Sequence, residues 1–376
     1  MKRLGISILI LFSCFVSVAR GHEPAGKCYN SWAQFHRYNM QRWNRCEKVL
    51  TVKNVKNLGL KWSYATGYIA SAPAVANGVV YVGSQNSNFY ALKASTGALL
   101  WSYGTNDNVQ SSPAVSNGVV YIGSGHIAGG GNLYALNART GALLWSYDGN
   151  GVSSSPAVVN GVVYFGSDLD YNVYALDAST GALLWSYPTG SHAYSSPAVA
   201  NGVVYVGSND GNLYALDAAS GALLWSYPIG GFAGFDSPAV ANGVVYMGSS
   251  AGNLYALNAT TGALLWSYPV ADAGYFSPAV ANGVVYAGSD KGNVYALSAS
   301  TGVLLWRYDT GVGIGALAVA NGVVYFGSGK LYALNARTGA KLWSYDTSNY
   351  AGSPIVSNGV VYVGDYNGNV YAFGLK

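Results

Sequence analysis

The feature that most limits what this chain can fold into is a unit of about forty residues, repeated along most of its length. The unit reads S-P-A-V-A-N-G-V-V-Y-x-G-S, a short variable stretch, then N-x-Y-A-L-[DN]-A-x-T-G-A-L-L-W-S-Y. Trp62, Trp101, Trp145, Trp185, Trp225, Trp266, Trp306 and Trp343 mark it at spacings of 39, 44, 40, 40, 41, 40 and 37. An Asn-Gly pair recurs eight times, beginning at Asn77, Asn117, Asn160, Asn201, Asn242, Asn282, Asn321 and Asn358. A period of this length with four strands per unit predicts a β-propeller, in which each unit buries its faces only by stacking on its neighbours.

Residues 195–227 show how one unit folds. Ser195 to Ala200 reads as a first strand, and Asn201-Gly202 as a type I′ turn, whose central residues both need positive φ. Val203 to Gly207, Asn212 to Asp217 and Ala222 to Tyr227 follow as strands, separated by Asn209-Asp210-Gly211 and Ser220-Gly221. No segment carries a helical period. The last unit stops after Asn369 to Phe373 and lacks a fourth strand, whereas the first tryptophan strand, Leu60 to Ala65, has no partners before it. The expectation is an all-β, eight-bladed propeller of four-stranded antiparallel blades. Leu60 to Ala65 completes the last blade, which ties the termini together and removes an open sheet edge.

Residues 1–19 read as a signal peptide: Lys2 and Arg3, an apolar stretch from Leu4 to Val18, and small residues through Ala19. That stretch is shorter than the roughly 20 residues of a membrane-spanning helix, so no transmembrane segment is expected after cleavage. Leu11-Phe12-Ser13-Cys14 is a poor lipobox, since Phe12 is bulky and apolar residues continue beyond Cys14, so ordinary cleavage is preferred. The mature chain is then periplasmic or extracellular, and a monomer. In an oxidising compartment Cys28 and Cys46 are expected to pair. Such a bond would staple the segment 20–57, worth ~3 kcal/mol in the chain-entropy model. Charged residues make up only 9% of the chain, with a net charge of +4. Residues 20–61 hold nine Lys/Arg against two Glu, and residues 62–376 eight against thirteen Asp. The body of the propeller, 58–376, is therefore mildly acidic and gives no support for nucleic acid as a partner, so none is expected. The basic leader either meets an anionic surface or, more simply, docks on the acidic body.

The pattern A-x-[DN]-x-x-T-G-x-x-x-W, clear at Ala135 to Trp145 and Ala175 to Trp185, resembles the tryptophan-docking motif of the pyrroloquinoline-quinone (PQQ) repeat family. It occurs seven times, with Lys93 and Ser298 in place of Asp/Asn and Ser220 in place of Thr. The resemblance covers residues 58–376, and Trp32-Ala33-Gln34-Phe35 with Asn54 to Leu58 resembles the leader of exported members. It implies that the eight tryptophans pack between blades. The family includes quinoprotein alcohol dehydrogenases and a non-enzymatic outer-membrane assembly lipoprotein. The dehydrogenase branch holds PQQ with a calcium ion bound by Glu and Asn, uses an Asp as base, and carries a floor tryptophan and often a vicinal disulfide. Here both Glu, Glu23 and Glu47, lie outside the propeller, no Cys-Cys pair occurs, and every propeller tryptophan is a docking residue. The expected function is a binding scaffold with no catalytic residue, cofactor or metal; the alternative is a PQQ- and calcium-dependent oxidoreductase.

Comparing units shows where binding would occur. The Asn-Gly and Thr-Gly turns, which a meander places on one side, barely change. The turns between second and third strands and the links between blades lie on the other side and vary strongly. That variable face collects Tyr68, Tyr171, Tyr194, Phe232, Phe235, Tyr275, Phe276 and Tyr350, with Asp107, Asp168, Asp170, Asp236 and Asp272. His126 and His192 fall there too, on separate blades, which favours surface roles over a metal site. Aromatics among scattered acids suit recognition of an envelope or extracellular protein, a peptide or a glycan. Asp290 to Asn293 and Asp365 to Asn369 distantly resemble calcium loops, but turn chemistry explains them better.

Overall fold

The computed structural model describes residues 31–376, apart from 38–39, 69–70, 126–129, 235, 271–276 and 348. The signal segment and Cys14, Cys28, His126, Phe235, Asp272, Tyr275 and Phe276 thus lie outside the described residues.

Eight antiparallel sheets close into a ring. The first blade runs from Ala74–Ala76 through Val79–Ser84 and Asn88–Lys93 to Leu99–Gly104, and later blades repeat that order. First strands are shorter than the sequence suggests: the one at Ser195 narrows to Ala198–Ala200, because Pro197 has no N–H to give a ladder. These first strands touch one another around the axis. Each Asn-Gly turn has both residues at positive φ, as at Asn77 (51°) and Gly78 (76°), the geometry that the type I′ turn requires.

The ring closes in the last blade. Leu58–Ala65 pairs antiparallel with Asn369–Leu375, from Leu58 opposite Leu375 to Ala65 opposite Asn369. The closing strand therefore starts two residues earlier than Leu60.

Neighbouring blades are tied by recurrent contacts. The first junction shows the scheme: Trp101 Nε1 and the Tyr81 hydroxyl both donate to the Ala138 carbonyl, at 3.1 and 3.0 Å. The Trp101 ring also covers Gly141, where an added Cβ would come within 2.6 Å of it at a φ of +74°. The other Thr-Gly turns are covered in the same way, by Trp62, Trp145, Trp185, Trp225, Trp266 and Trp306. Trp343 faces a blade with no such turn, and packs on Phe373 instead, ring centres 5.4 Å apart. Near the axis the serine of S-P-A-V makes a second tie. Its hydroxyl accepts from the matching amide one blade back, from Ala72 to Ser112 (3.0 Å) through Ser237 to Ser277 (3.2 Å), and again from Ala316 to Ser353 (3.0 Å). Ala72 and Ala316 have no hydroxyl, so the circle is interrupted where they stand.

The Asp/Asn of the docking motif holds its own turn. Asn137 Oδ1 accepts from the amides of Arg139 (3.0 Å) and Thr140 (3.1 Å), and Asp177 and Asp217 do the same. Lys93, exposed at the equivalent position, has no acceptor to offer. Lys93→Asn is expected to raise stability by about 0.5 kcal/mol, read as a higher denaturation midpoint at unchanged m-value.

Candidate functional site

The leader does dock on the body, but inside it. From Trp32 to Glu47 it visits the blades in their chain order, along the first strands. Trp32 exchanges two backbone hydrogen bonds with Val75 of the first blade (2.9 and 2.7 Å). Ala33 O accepts from Val115 N in the second (2.6 Å), and Gln34 Oε1 from Val158 N in the third (3.1 Å). His36 Nε2 meets Ser196 O in the fourth (3.2 Å). The carbonyls of Met40, Gln41 and Arg42 accept from Val240, Val280 and Val319 of the next three, at 2.9–3.0 Å. Asn44 Nδ2 donates to Val356 O of the eighth (2.9 Å). Trp43–Asn44 adds a short parallel strand to the seventh blade. These inner strands would otherwise present unpaired amides, so the leader satisfies an edge that ring closure alone leaves open.

Its side chains fill the middle of the ring. Trp32, His36, Arg37 and Arg42 are all buried. Arg42 donates to the carbonyls of Leu317 (2.6 Å), Phe35 (2.7 Å) and Pro354 (3.3 Å), and its guanidinium lies 4.4 Å from the centre of the Phe35 ring. Burial lowers its pKa to about 9, which leaves it charged at neutral pH. Burial, reinforced by the Arg42 charge and opposed by the Ser196 carbonyl, pushes His36 down to about 3, so its imidazole is neutral. Cys46 is buried and disulfide-bonded; the expected pairing with Cys28 lies outside the described residues. Sequence reading marked Trp32 to Phe35 by resemblance and expected the leader to dock by charge; the described contacts are instead mostly to backbone amides and carbonyls, a path that a single unrepeated segment with no period does not reveal.

On the variable face, the described candidates fall into two aromatic groups. Tyr68, Tyr366 and Tyr350 form one around the eighth blade, with centroids 5.0 and 4.9 Å apart and ring planes tilted by 34°. Burial and the neighbouring Tyr366 hold the Tyr350 hydroxyl well above its ordinary pKa, so it remains a neutral donor. Tyr366 was not singled out from the sequence; its position in the variable Asp365 to Asn369 turn was the available signal. Tyr171, His192 and Tyr194 form the other group, between the third and fourth blades. His192 stacks on Tyr194 (5.0 Å, 7°) and meets Tyr171 edge-on (4.7 Å). Tyr171 has a φ of +62°, a strained backbone for a bulky residue. Phe232 stands apart, 56% exposed.

The acids behave differently from the aromatics. Asp168 and Asp236 are fully buried, which takes them off the recognition surface that the sequence suggested. Asp168 accepts from the Ser153 hydroxyl (2.6 Å), and its carbonyl binds His192 Nδ1. Asp170 accepts from the Tyr174 hydroxyl and from Asn150 Nδ2 (3.1 Å). Burial raises its pKa, but these hydrogen bonds outweigh it and keep the carboxylate ionised. Asp107 caps its own loop through the Asn108 amide (2.6 Å). Asp365 accepts from Asn369 N (2.8 Å) and the Tyr371 hydroxyl (2.9 Å), which is turn chemistry. Among the described residues no three of His, Cys, Asp and Glu gather as metal ligands. No helix there is long and apolar enough to cross a membrane.

Comparison with known proteins places this architecture. A family model described as outer membrane protein assembly factor BamB matches residues 41–170, 129–277 and 272–376. BamB from Moraxella catarrhalis is 21% identical with a TM-score of 0.73, over 84% of this chain and 99% of that one. A quinohemoprotein alcohol dehydrogenase from Pseudomonas putida HK5 is 19% identical with a TM-score of 0.79, over 92% and 80%. Both likenesses concern the fold. Among curated proteins, lupanine 17-hydroxylase [cytochrome c] of a Pseudomonas species is 32% identical over 106 residues. The dehydrogenase subunit of the quinone alcohol dehydrogenase of Gluconobacter oxydans is 32% identical over 115. Each of these matches takes in 27% of this chain but spans only 15% of the relative. The repeat, the eight blades and the matched family model agree: this chain belongs to the PQQ-type repeat family described as outer membrane protein assembly factor BamB.

Proposed function

We propose that the protein is an exported, non-catalytic binding scaffold that recognises an envelope or extracellular protein, peptide or glycan through its variable face. The contrast between the two faces carries this reading. One side repeats the same Asn-Gly and Thr-Gly turns in blade after blade, while the other presents aromatic groups that differ from blade to blade. Individualised aromatic clusters are what a specific partner needs. The match to the BamB family supports a protein partner and an envelope location.

Quinoprotein catalysis is the second reading, favoured by the dehydrogenase relatives. The residues fit it poorly. Calcium takes six to eight oxygen ligands, usually with carboxylates, whereas the described acids do not cluster. The middle of the ring is taken up by Trp32, His36 and Arg42 of the chain itself.

Capture from envelope extract, with the parent protein and a Tyr68→Ala/Tyr171→Ala/Phe232→Ala/Tyr350→Ala variant, tests the proposal. A specifically retained partner should be lost by the variant at an unchanged unfolding midpoint. Equal retention by both removes the site. Quinone absorbance and dye reduction after incubation with PQQ and calcium would replace the scaffold reading with the second one.

A further inference from the structure

The uniform face carries chemistry of its own. In six consecutive blades the outer strand opens with two leucines, one residue after the Thr-Gly (once Ser-Gly) turn, from Leu99-Leu100 to Leu304-Leu305. Both are exposed in every case, the second of each pair by 50–52%. The cause is a bulge. In the second blade Leu143 pairs with Leu136 and Trp145 with the adjacent Ala135, so Leu144 has no ladder partner. The same register shift recurs in the other blades. The bulge lets the tryptophan turn inward onto the next blade while both leucines stay out. The result is a belt of apolar side chains around the rim, close to the turns. Exposed leucines paired at the same place on six neighbouring blades go beyond the scattered single residues that an ordinary surface carries.

Charge is divided unevenly between the two faces: the variable turns hold Lys291 and Lys330, the latter paired with Asp346 at 3.1 Å, and the other described basic residues gather mainly on the uniform side. Exposed Lys93, Arg139 and Arg337 lie at the Thr-Gly turns. The leader adds exposed Lys48, Lys53 and Lys56 on the same side. It is fixed there because the Leu50 carbonyl accepts from Asn321 Nδ2 (2.9 Å) and Val49 lies against Gly359, both in Asn-Gly turns. Lys61, Lys341 and Lys376 are exposed along the closing seam. The acids on this side are Asp177 and Asp217, bonded within their turns, and Glu47, which accepts from the amides of Val49, Leu50 and Gly359. The remaining propeller aspartates belong to the variable turns and blade links.

We infer that the uniform face is a docking surface for an anionic lipid bilayer, with the lysines and arginines meeting headgroups and the leucine belt entering the interface. A cationic face bordered by apolar side chains is the recognised composition of a peripheral membrane surface. The uniformity of the face favours lipid over a protein partner. A protein epitope is individual and selects individual residues, whereas a bilayer is the same in every lateral direction and suits six near-identical leucine pairs. The inference does not rest on the partner proposed for the opposite face.

The test is co-sedimentation of the full chain with vesicles of phosphatidylcholine, alone or mixed with phosphatidylglycerol. The parent should bind the anionic vesicles and release as salt rises. Lys48→Gln/Lys53→Gln/Lys56→Gln should weaken that binding by roughly a hundredfold at low salt, at about 1 kcal/mol per lysine. Leu100→Gln/Leu144→Gln/Leu184→Gln should remove the part that salt does not reverse. All variants carry the same residues 1–30, so a difference between them comes from the face, and a parent-like unfolding midpoint shows that each is folded. Equal binding to neutral vesicles, or variants that bind like the parent, would overturn the inference. So would retention on heparin beads without retention on vesicles, which would assign the face to an anionic polymer.

Discussion

Arg42→Ala is expected to lower the free energy of unfolding by about 4 kcal/mol. The guanidinium donates to three carbonyls from three parts of the chain, Phe35, Leu317 and Pro354. Charge-assisted hydrogen bonds of this kind contribute roughly 1.5–3 kcal/mol each, and a buried carbonyl left without its donor adds its own desolvation cost. Arg42→Lys keeps the charge but loses the planar fork, so it should recover only part of the loss. Urea denaturation monitored by tryptophan fluorescence reads the effect. A loss below about 1 kcal/mol would mean that the leader contributes little to the ring.

The second large effect is with acid. His36 has a folded-state pKa of about 3 against 6.5 for the free side chain. Its folded pKa is depressed, and the neutral form is the one the fold accepts. Stability from this group is therefore complete above about pH 6.5 and declines as pH falls, because the unfolded chain takes up a proton that the folded one refuses. The slope is about 1.4 kcal/mol per pH unit, so roughly 3 kcal/mol should be gone by about pH 4. The groups facing His36 are the Ser196 carbonyl and the Arg42 cation. His36→Gln should flatten the decline between about pH 6.5 and 4, and Arg42→Ala should make it shallower by removing a repelling charge. Unfolding midpoints at successive pH values check both, and a parent and a His36→Gln variant with parallel profiles would refute the assignment.

The ring was legible in the sequence because its determinants are local and repeated. Asn-Gly allows few turns, and the Thr-Gly step next to each tryptophan can be read as packing once the unit is aligned with itself. Closure by the strand before Thr66 followed from counting what the last unit lacks. The serine of S-P-A-V was less transparent. Its hydroxyl joins one blade to the next, for example Ser155 N to Ser196 Oγ at 3.0 Å, and only three-dimensional contact shows that a residue beside a proline serves its neighbour. The site was legible in part. Variable links located Tyr68, Tyr171, His192 and Tyr350, but composition could not tell an exposed carboxylate from Asp168 or Asp236, which turn inward. The leucine pairs look like core residues in any hydropathy pattern. Only the bulge beside Leu144 reveals that they face outward.

The leader's path settles a problem that near-identical repeats create. Any blade of this ring could pair with almost any other, and nothing inside a blade states its ordinal number. Trp32, Ala33, Gln34 and their successors meet the inner strands in strict sequence, so the segment works as a ruler bent around the axis. A gene duplication that inserted a ninth unit would find no mark on that ruler. Its inner edge would stay bare, and the copy number of the array is thereby held by a stretch of chain that is not itself a copy.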